Sequence, residues 1–121
     1  MRGYSKFKVV RDEEQAPGVL VYRLSGLLTS SHETYEFLED LRRRLREEAP
    51  RAVLNLEGLE RITSGGVGII AACYTSAVNA GGRLVLAAVP KPVETILNIV
   101  HLLNVIESFP TEREALQATA G

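Results

Sequence analysis

The sequence predicts an α/β domain, a mixed and mostly parallel sheet of about five strands with about four helices. Three observations carry this. β-rich runs alternate with helical patterns in the order β, β, α, β, α, β, α, β, α. Such alternation implies right-handed crossovers between parallel strands, with an antiparallel edge. Two of the runs, Ala52–Leu56 and Arg83–Val89, are almost continuously apolar, as strands covered on both faces are. The 121 residues, 45% of them hydrophobic, make one domain over 1–121, long enough to bury a core without staples.

Phe7–Val10 and Val19–Leu24 flank the polar turn Asp12–Gly18, which predicts an antiparallel pair whose first strand lies on an edge. Ser25-Gly26 reads as the stop of the second strand. Ser30, with Glu33 three residues later, fits a capping box. It opens a helix whose Phe37, Leu38, Leu41 and Leu45 share one face. Glu39–Arg43 and Asp40–Arg44 are acid-first i,i+4 pairs on the opposite face. The run Arg42-Arg43-Arg44 is therefore a solvated helix surface rather than a basic patch. Pro50 ends this helix.

The strand Ala52–Leu56 leads into a predicted loop, Glu57–Ser64. A second helix over Gly65–Asn79 presents Val67, Ile70, Ala71, Tyr74 and Val78 to the sheet. Gly81-Gly82 supplies the left-handed position past its end. After the strand Arg83–Val89, Pro92 starts a third helix carrying Val93, Ile96, Leu97 and Val100. Asn104 stops it, and Val105–Phe109 forms a short last strand. Thr111 and Glu114 make a second capping box, opening a C-terminal helix through Ala115 and Leu116.

Composition excludes several functions. Fourteen Lys+Arg against fifteen Asp+Glu leave a net charge of −1, which offers no footprint for nucleic acid or anionic lipid. No 18-residue apolar run occurs, and the opening segment Met1–Val10 is no signal peptide, so a cytoplasmic location without membrane insertion is expected. Cys73 has no partner for a disulfide within the chain. With only His32 and His101 beside it, little material exists for a metal site or a nucleophile–base pair. The expectation is no catalytic residue, no metal and no cofactor: a binding or switching module rather than an enzyme.

One stretch carries chemistry, Ile62-Thr63-Ser64-Gly65-Gly66-Val67-Gly68-Ile69-Ile70. It opens a helix, where orphan N–H groups and the positive end of the dipole favour anions. Three readings compete. Gly66-x-Gly68-x-x-Ala71 formally matches a dinucleotide fingerprint. A loop of about eight residues before the glycines argues against it, as does a following strand with no acid for a ribose. A purely structural reading makes Ser64 the N-cap and the glycines a tight turn packed on the sheet. The third reading is a phosphorylation switch, in which a phosphate on an exposed hydroxyl adds about −1.5 to −2 charges. Such a charge repels a partner without moving the fold.

Val53-Leu54-Asn55-Leu56-Glu57, the stretch Ile62–Val67 and Ala80-Gly81-Gly82-Arg83-Leu84-Val85-Leu86 stand in a characteristic order and spacing. On these, from about Val19 to Leu116, the chain resembles the STAS family, which includes bacterial anti-sigma factor antagonists. The resemblance implies a single STAS-like domain in which Ser64 falls on the serine that a kinase-type anti-sigma factor phosphorylates. It implies that the unmodified domain binds that kinase and that a protein phosphatase restores the complex. Three positions depart from the pattern: Asn55, Thr63 and Thr29 stand where the family commonly carries Asp. Thr63 is the second candidate acceptor.

The expected partner-binding set is Thr63, Ser64, Gly65, Gly66, Val67, Ile69, Ile70 and Cys73. The apolar members of this helix either form a docking patch or are covered by the neighbouring helices. Cys73 is expected to be half buried, a packing residue rather than a reactive thiol. His32 is expected on the surface and His101 near the end of the third helix, where a cation suits the dipole. Leu27 and Leu28 are core or rim.

The expected function is a phosphorylation-regulated protein-binding switch of the anti-sigma factor antagonist kind. One alternative is a fixed STAS subunit of a stress-signalling or lipid-transport complex. An alternative of another class, a small nucleotide-binding protein or hydrolase, finds no P-loop lysine, nucleophile elbow or paired carboxylates.

Overall fold

In the computed structural model, residues 3–12 and 18–120 are described. The predicted turn Asp12–Gly18 therefore lies mostly outside the described residues. The chain runs β1 (Lys8–Asp12), β2 (Leu20–Leu28), α1 (His32–Glu47), β3 (Arg51–Ile62), α2 (Ser64–Asn79), β4 (Arg83–Ala87), α3 (Lys91–Ile99), β5 (Ser108–Phe109) and α4 (Glu112–Ala120), with a 3₁₀ turn at Leu102–Asn104. The sheet order is β1-β2-β3-β4-β5. β1 pairs antiparallel with β2, and every other pairing is parallel. The predicted fold class and element order are those observed.

Strand alternation divides the core in two. Leu20, Tyr22, Leu24, Leu54, Leu56, Leu84 and Leu86 pack beneath α1, α2 and α3. Val21, Val53, Val85 and Ala87 point the other way and are covered by α4 through Ala115 and Leu116. The two nearly continuous apolar strands are thus buried on both faces.

Several boundaries differ from expectation, each for a local reason. Ser25-Gly26 bends β2 instead of ending it. Gly26 takes φ +83°, and a Cβ there would lie 2.3 Å from the Lys6 carbonyl oxygen. The predicted loop Glu57–Ser64 is strand through Ile62, because Gly58–Ile62 pairs with Ser25–Leu28. Its polar residues face solvent while Leu59 and Ile62 are buried. The first capping box is shifted by one residue. The Ser31 hydroxyl accepts from the Thr34 N–H, and Thr34 Oγ1 accepts from the Ser31 N–H at 2.8 Å. Thr34 wins over Glu33 because its buried hydroxyl also reaches the Thr29 carbonyl at 2.6 Å.

In place of the two expected pairs, Glu39 pairs with Arg42 and Asp40 with Arg43, both i,i+3, while Arg43 also reaches Glu47 at i,i+4. Arg44 does not pair with Asp40. It is buried over the Tyr22 ring, donates to the Tyr22 hydroxyl at 3.1 Å and reaches Glu48. Of the second capping box one half forms: the Glu114 N–H donates to Thr111 Oγ1 at 3.1 Å, while the Glu114 carboxylate accepts from the Thr111 hydroxyl at 3.0 Å instead of from its backbone N–H. Pro92 is the second residue of α3, not the first. Val93 and Leu97 are buried there, whereas Val100 is exposed. β4 stops at Ala87 because Ala88 turns with φ +54°. The last strand is only Ser108–Phe109, since the 3₁₀ turn takes the chain as far as Asn104.

Candidate functional site

The parallel strands β2, β3 and β4 all end on one side of the sheet, and the helix that follows each starts there. α2 begins in the middle of that row, directly from β3. Its N-cap is Thr63, not Ser64. The Thr63 Oγ1 accepts from the Gly66 N–H at 3.2 Å, and the Thr63 N–H donates to the Leu28 carbonyl at 3.1 Å. The cap is thereby stitched to the end of β2.

The glycines divide by function. A Cβ on Gly66 would sit 2.2 Å from the Leu28 carbonyl oxygen, so this position needs glycine for α2 to seat against β2. A Cβ on Gly65 would meet the Ser30 Oγ at 2.6 Å. Gly68 has nothing within 4 Å of such a Cβ. The loop once counted against a dinucleotide site is absent, yet that reading still fails on geometry. The close approach at Gly66 is filled by the chain's own Leu28 carbonyl, and β4 ends in Leu86-Ala87 with no acid.

Displacing Ser64 from the cap leaves it as the first residue of α2, exposed, with no hydrogen-bond partner for its hydroxyl among the described residues. The first turn of α2 contains no acidic side chain, so nothing offsets the positive end of the helix dipole at this point. Thr63 is also exposed, but its oxygen is occupied by the cap.

The expected partner surface contracts. Ile69 (2% exposed), Ile70 and Cys73 (both 0%) lie in the core and cannot touch a partner. The face of α2 toward the sheet is set by Gly66, Ile69, Ile70, Cys73 and Ala77. Val67, Ala71 and Tyr74 are only partly buried, and Val78 is 49% exposed. The helix is apolar nearly all round, so periodicity could not choose its buried face. Cys73 is fully rather than half buried, and burial pushes its thiol up to about 12, which keeps it an unreactive packing residue. Around Ser64 the accessible set is Thr63, Ser64, Gly65, Val67 and Gly68, with Ser30 of the β2–α1 turn against Gly65. A cleft of about 270 Å³ lies alongside, lined by Arg61, Ile62, Pro92, Thr95 and Ile96. No motif marks these neighbours; only the alignment of parallel strand ends brings them together.

The three departures from the acidic pattern separate in space. Thr63 caps α2, and the Thr29 carbonyl anchors Thr34. Asn55 belongs to the opposite face, where its Nδ2 donates to Glu112 Oε1 at 2.9 Å and its Oδ1 accepts from the Glu57 N–H. Arg23 also donates to Glu112, at 2.8 and 2.9 Å, and to Asp12. These contacts tie α4 to β2 and β3, and Arg23 is the first cause of a Glu112 carboxyl held below the usual carboxylate range.

His32 is exposed beside Glu36. His101 lies beyond the end of α3, in a turn with φ +61°, so it does not cap the helix. Leu28 is core and Leu27 half-buried. Among the described residues no group of three or more His, Cys, Asp or Glu could hold a metal, and no helix is long and apolar enough to cross a membrane.

The STAS domain family model matches residues 11–115. An anti-sigma F factor antagonist of Paenibacillus polymyxa is 31% identical over 106 residues, covering 85% of this chain and 88% of that protein. Solved structures share the fold. An anti-sigma factor antagonist from Mycobacterium paratuberculosis superposes with a TM-score of 0.79 at 20% identity, covering 96% of each chain. The phosphorylated form of the Bacillus cell fate determinant SpoIIAA gives 0.72 at 18% identity, covering 92% of this chain and 98% of the other.

Proposed function

Because this chain belongs to the STAS domain family, we propose that it works as an anti-sigma factor antagonist, a protein-binding switch thrown by phosphorylation of Ser64. The observation that carries this is the division of labour at the start of α2. Thr63 caps the helix and leaves the Ser64 hydroxyl exposed and unengaged. Unmodified, the rim around Ser64 and Val67 binds a kinase-type anti-sigma factor. That partner transfers the γ-phosphoryl of ATP to the Ser64 oxygen; the hydroxyl proton is lost and ADP leaves. The new phosphate adds about −1.5 to −2 charges. An acid-free first turn and the helix dipole tolerate that charge, so the fold stays intact while the docking surface changes sign. A phosphatase reverses the change by hydrolysis. The relative from Paenibacillus polymyxa, named for its action on an anti-sigma factor, and a solved neighbour with a phosphorylated form support this reading.

The test uses the full chain, a kinase-type anti-sigma factor and ATP, read by intact mass and peptide mapping. One phosphate is expected. It should vanish with Ser64→Ala and persist with Thr63→Asn, which removes the hydroxyl while keeping a good N-cap. Binding without any phosphate would instead indicate a fixed STAS subunit, and loss with Thr63→Asn alone would move the switch to Thr63.

A further inference from the structure

The run Arg42-Arg43-Arg44 of α1 does not behave as one surface. Arg43 pairs with Asp40 and Glu47, and Arg44 is buried over the Tyr22 ring. Arg42 turns the other way, toward α2, which packs beside α1. Its Nε–H donates to the Ser76 hydroxyl at 3.1 Å, and that hydroxyl donates in turn to the Ala72 carbonyl at 2.7 Å. Glu39 accepts from its Nη1 at 2.7 Å. The guanidinium is thus fixed in place with part of its fork still free. One turn on, Arg46 lines the same cleft of about 220 Å³, together with Ser76, Asn79 and Ala80 of the α2 end. Among the described residues no acid lines this cleft. Nor does the side chain of Arg46 or Asn79 make a hydrogen bond or ion pair there.

Two guanidinium groups one helical turn apart repel each other. A cation at a helix end is ordinarily accounted for by the carbonyls it meets. Here those of α2 are already taken. The Ser76 carbonyl accepts from the Ala80 N–H at 3.0 Å, Ala77 from Gly82 at 2.9 Å and Val78 from Gly81 at 2.9 Å. What the cleft presents is donors: the free edge of Arg42, the whole fork of Arg46 and the Asn79 amide.

We propose that this cleft between the last turns of α1 and α2 binds a phosphate group, free or as the monoester of a small molecule. Guanidinium forks match phosphate oxygens in bidentate pairs, and a dianion between Arg42 and Arg46 turns their repulsion into two attractions. Ser76 is the positioning residue, since it holds Arg42 toward the cleft and spends its own proton on Ala72. Ser64 begins α2 and this cleft lies at its other end, roughly 20 Å along the axis, so the site is independent of any switch at Ser64.

The experiment is an NMR titration of the full chain with inorganic phosphate at low ionic strength, with sodium chloride as the blank. At about pH 7.5 the phosphate is mostly dianionic. Saturable shifts are expected at the Arg42 and Arg46 Nε–H and the Asn79 side-chain amide, with a midpoint on the order of 1 mM. Arg46→Gln should raise that midpoint about ten-fold, and Arg46→Lys, which keeps the charge but not the fork, should fall between. Arg43→Gln should leave it unchanged, since Arg43 serves Asp40 and Glu47 outside the cleft. Glycerol 3-phosphate, titrated alongside, distinguishes the sources: a lower midpoint supports a monoester as the ligand, a higher one supports free phosphate. Shifts that stay linear to about 20 mM, or are confined to Gly65–Val67 at the start of α2, would overturn the proposal. So would a midpoint indifferent to Arg46→Gln, or acetate binding as tightly as phosphate.

Discussion

Two glycines two positions apart in α2 carry opposite obligations. Gly66 sits where a methyl group would lie 2.2 Å from the Leu28 carbonyl oxygen, a backbone atom that cannot step aside. Gly66→Ala is expected to cost about 2–4 kcal/mol through overpacking at the β2–α2 seam. Thermal unfolding should register this as a fall in Tm of roughly 10 °C. At Gly68 the same substitution meets open space and removes the entropic penalty of a glycine inside a helix, about 0.5–1 kcal/mol. Gly68→Ala should therefore raise Tm by about 2–4 °C. The sequence shows a glycine cluster and no means of ranking its members, because the deciding atom, the Leu28 carbonyl oxygen, lies 38 positions earlier in the chain. Ser64 was legible as a candidate from its place in the motif. Its freedom from capping was not, since Thr63 and Ser64 are both good N-cap residues and only the backbone decides between them.

At the scale of elements, helices and covered strands were readable because their periodicity and end signals are local. Phe37, Leu38, Leu41 and Leu45 all proved buried, and Gly81 ends α2 with φ +79°. Elements whose limits depend on a neighbour were not. The second half of β3, Glu57–Ile62, reads as a loop from its polar residues, yet it is held by pairing with a bent β2. The buried face of α2 was equally hidden, in a helix apolar nearly all round whose rotation is set by Gly66. The start of α2 is where element stability and site meet. Thr63→Ala removes the cap to the Gly66 N–H and should cost about 1 kcal/mol, while Thr63→Asn should recover most of it. Urea denaturation of the two variants separates the outcomes: equal losses would show that the capping bond contributes nothing.

For the molecule as a whole, acid sensitivity should come from the carboxylates that bridge elements. Burial raises the Asp40 carboxyl, but hydrogen bonds from Tyr22 and Arg43 and the charge of Arg11 outweigh it and hold it low. The Glu112 carboxyl is held low first by Arg23 and also by Asn55. Carboxyls depressed in the folded state contribute stability above their ordinary unfolded value, about 4. That contribution is lost as pH falls through the depressed folded value. Tm should thus be level between about pH 7 and 5 and fall below about pH 4. Glu112→Gln should shallow the acid limb, while a limb identical to the wild type would remove Glu112 from that role. The anchor itself, Arg23 to Glu112 across 89 positions, was beyond sequence reasoning, which assigned Asn55 to a family motif rather than to α4.

The sheet adds its strands in chain order, β1 through β5, so each new strand of a growing chain finds its neighbour already present. The cover arrives unevenly. α1, α2 and α3 are interleaved with the strands and roof one face as it forms, whereas the valines at 21, 53 and 85 must wait for α4, which follows every strand. A chain caught before α4 has docked therefore displays a bare apolar floor. During synthesis this is the face that a chaperone would meet, and the one on which arrested chains would adhere to each other.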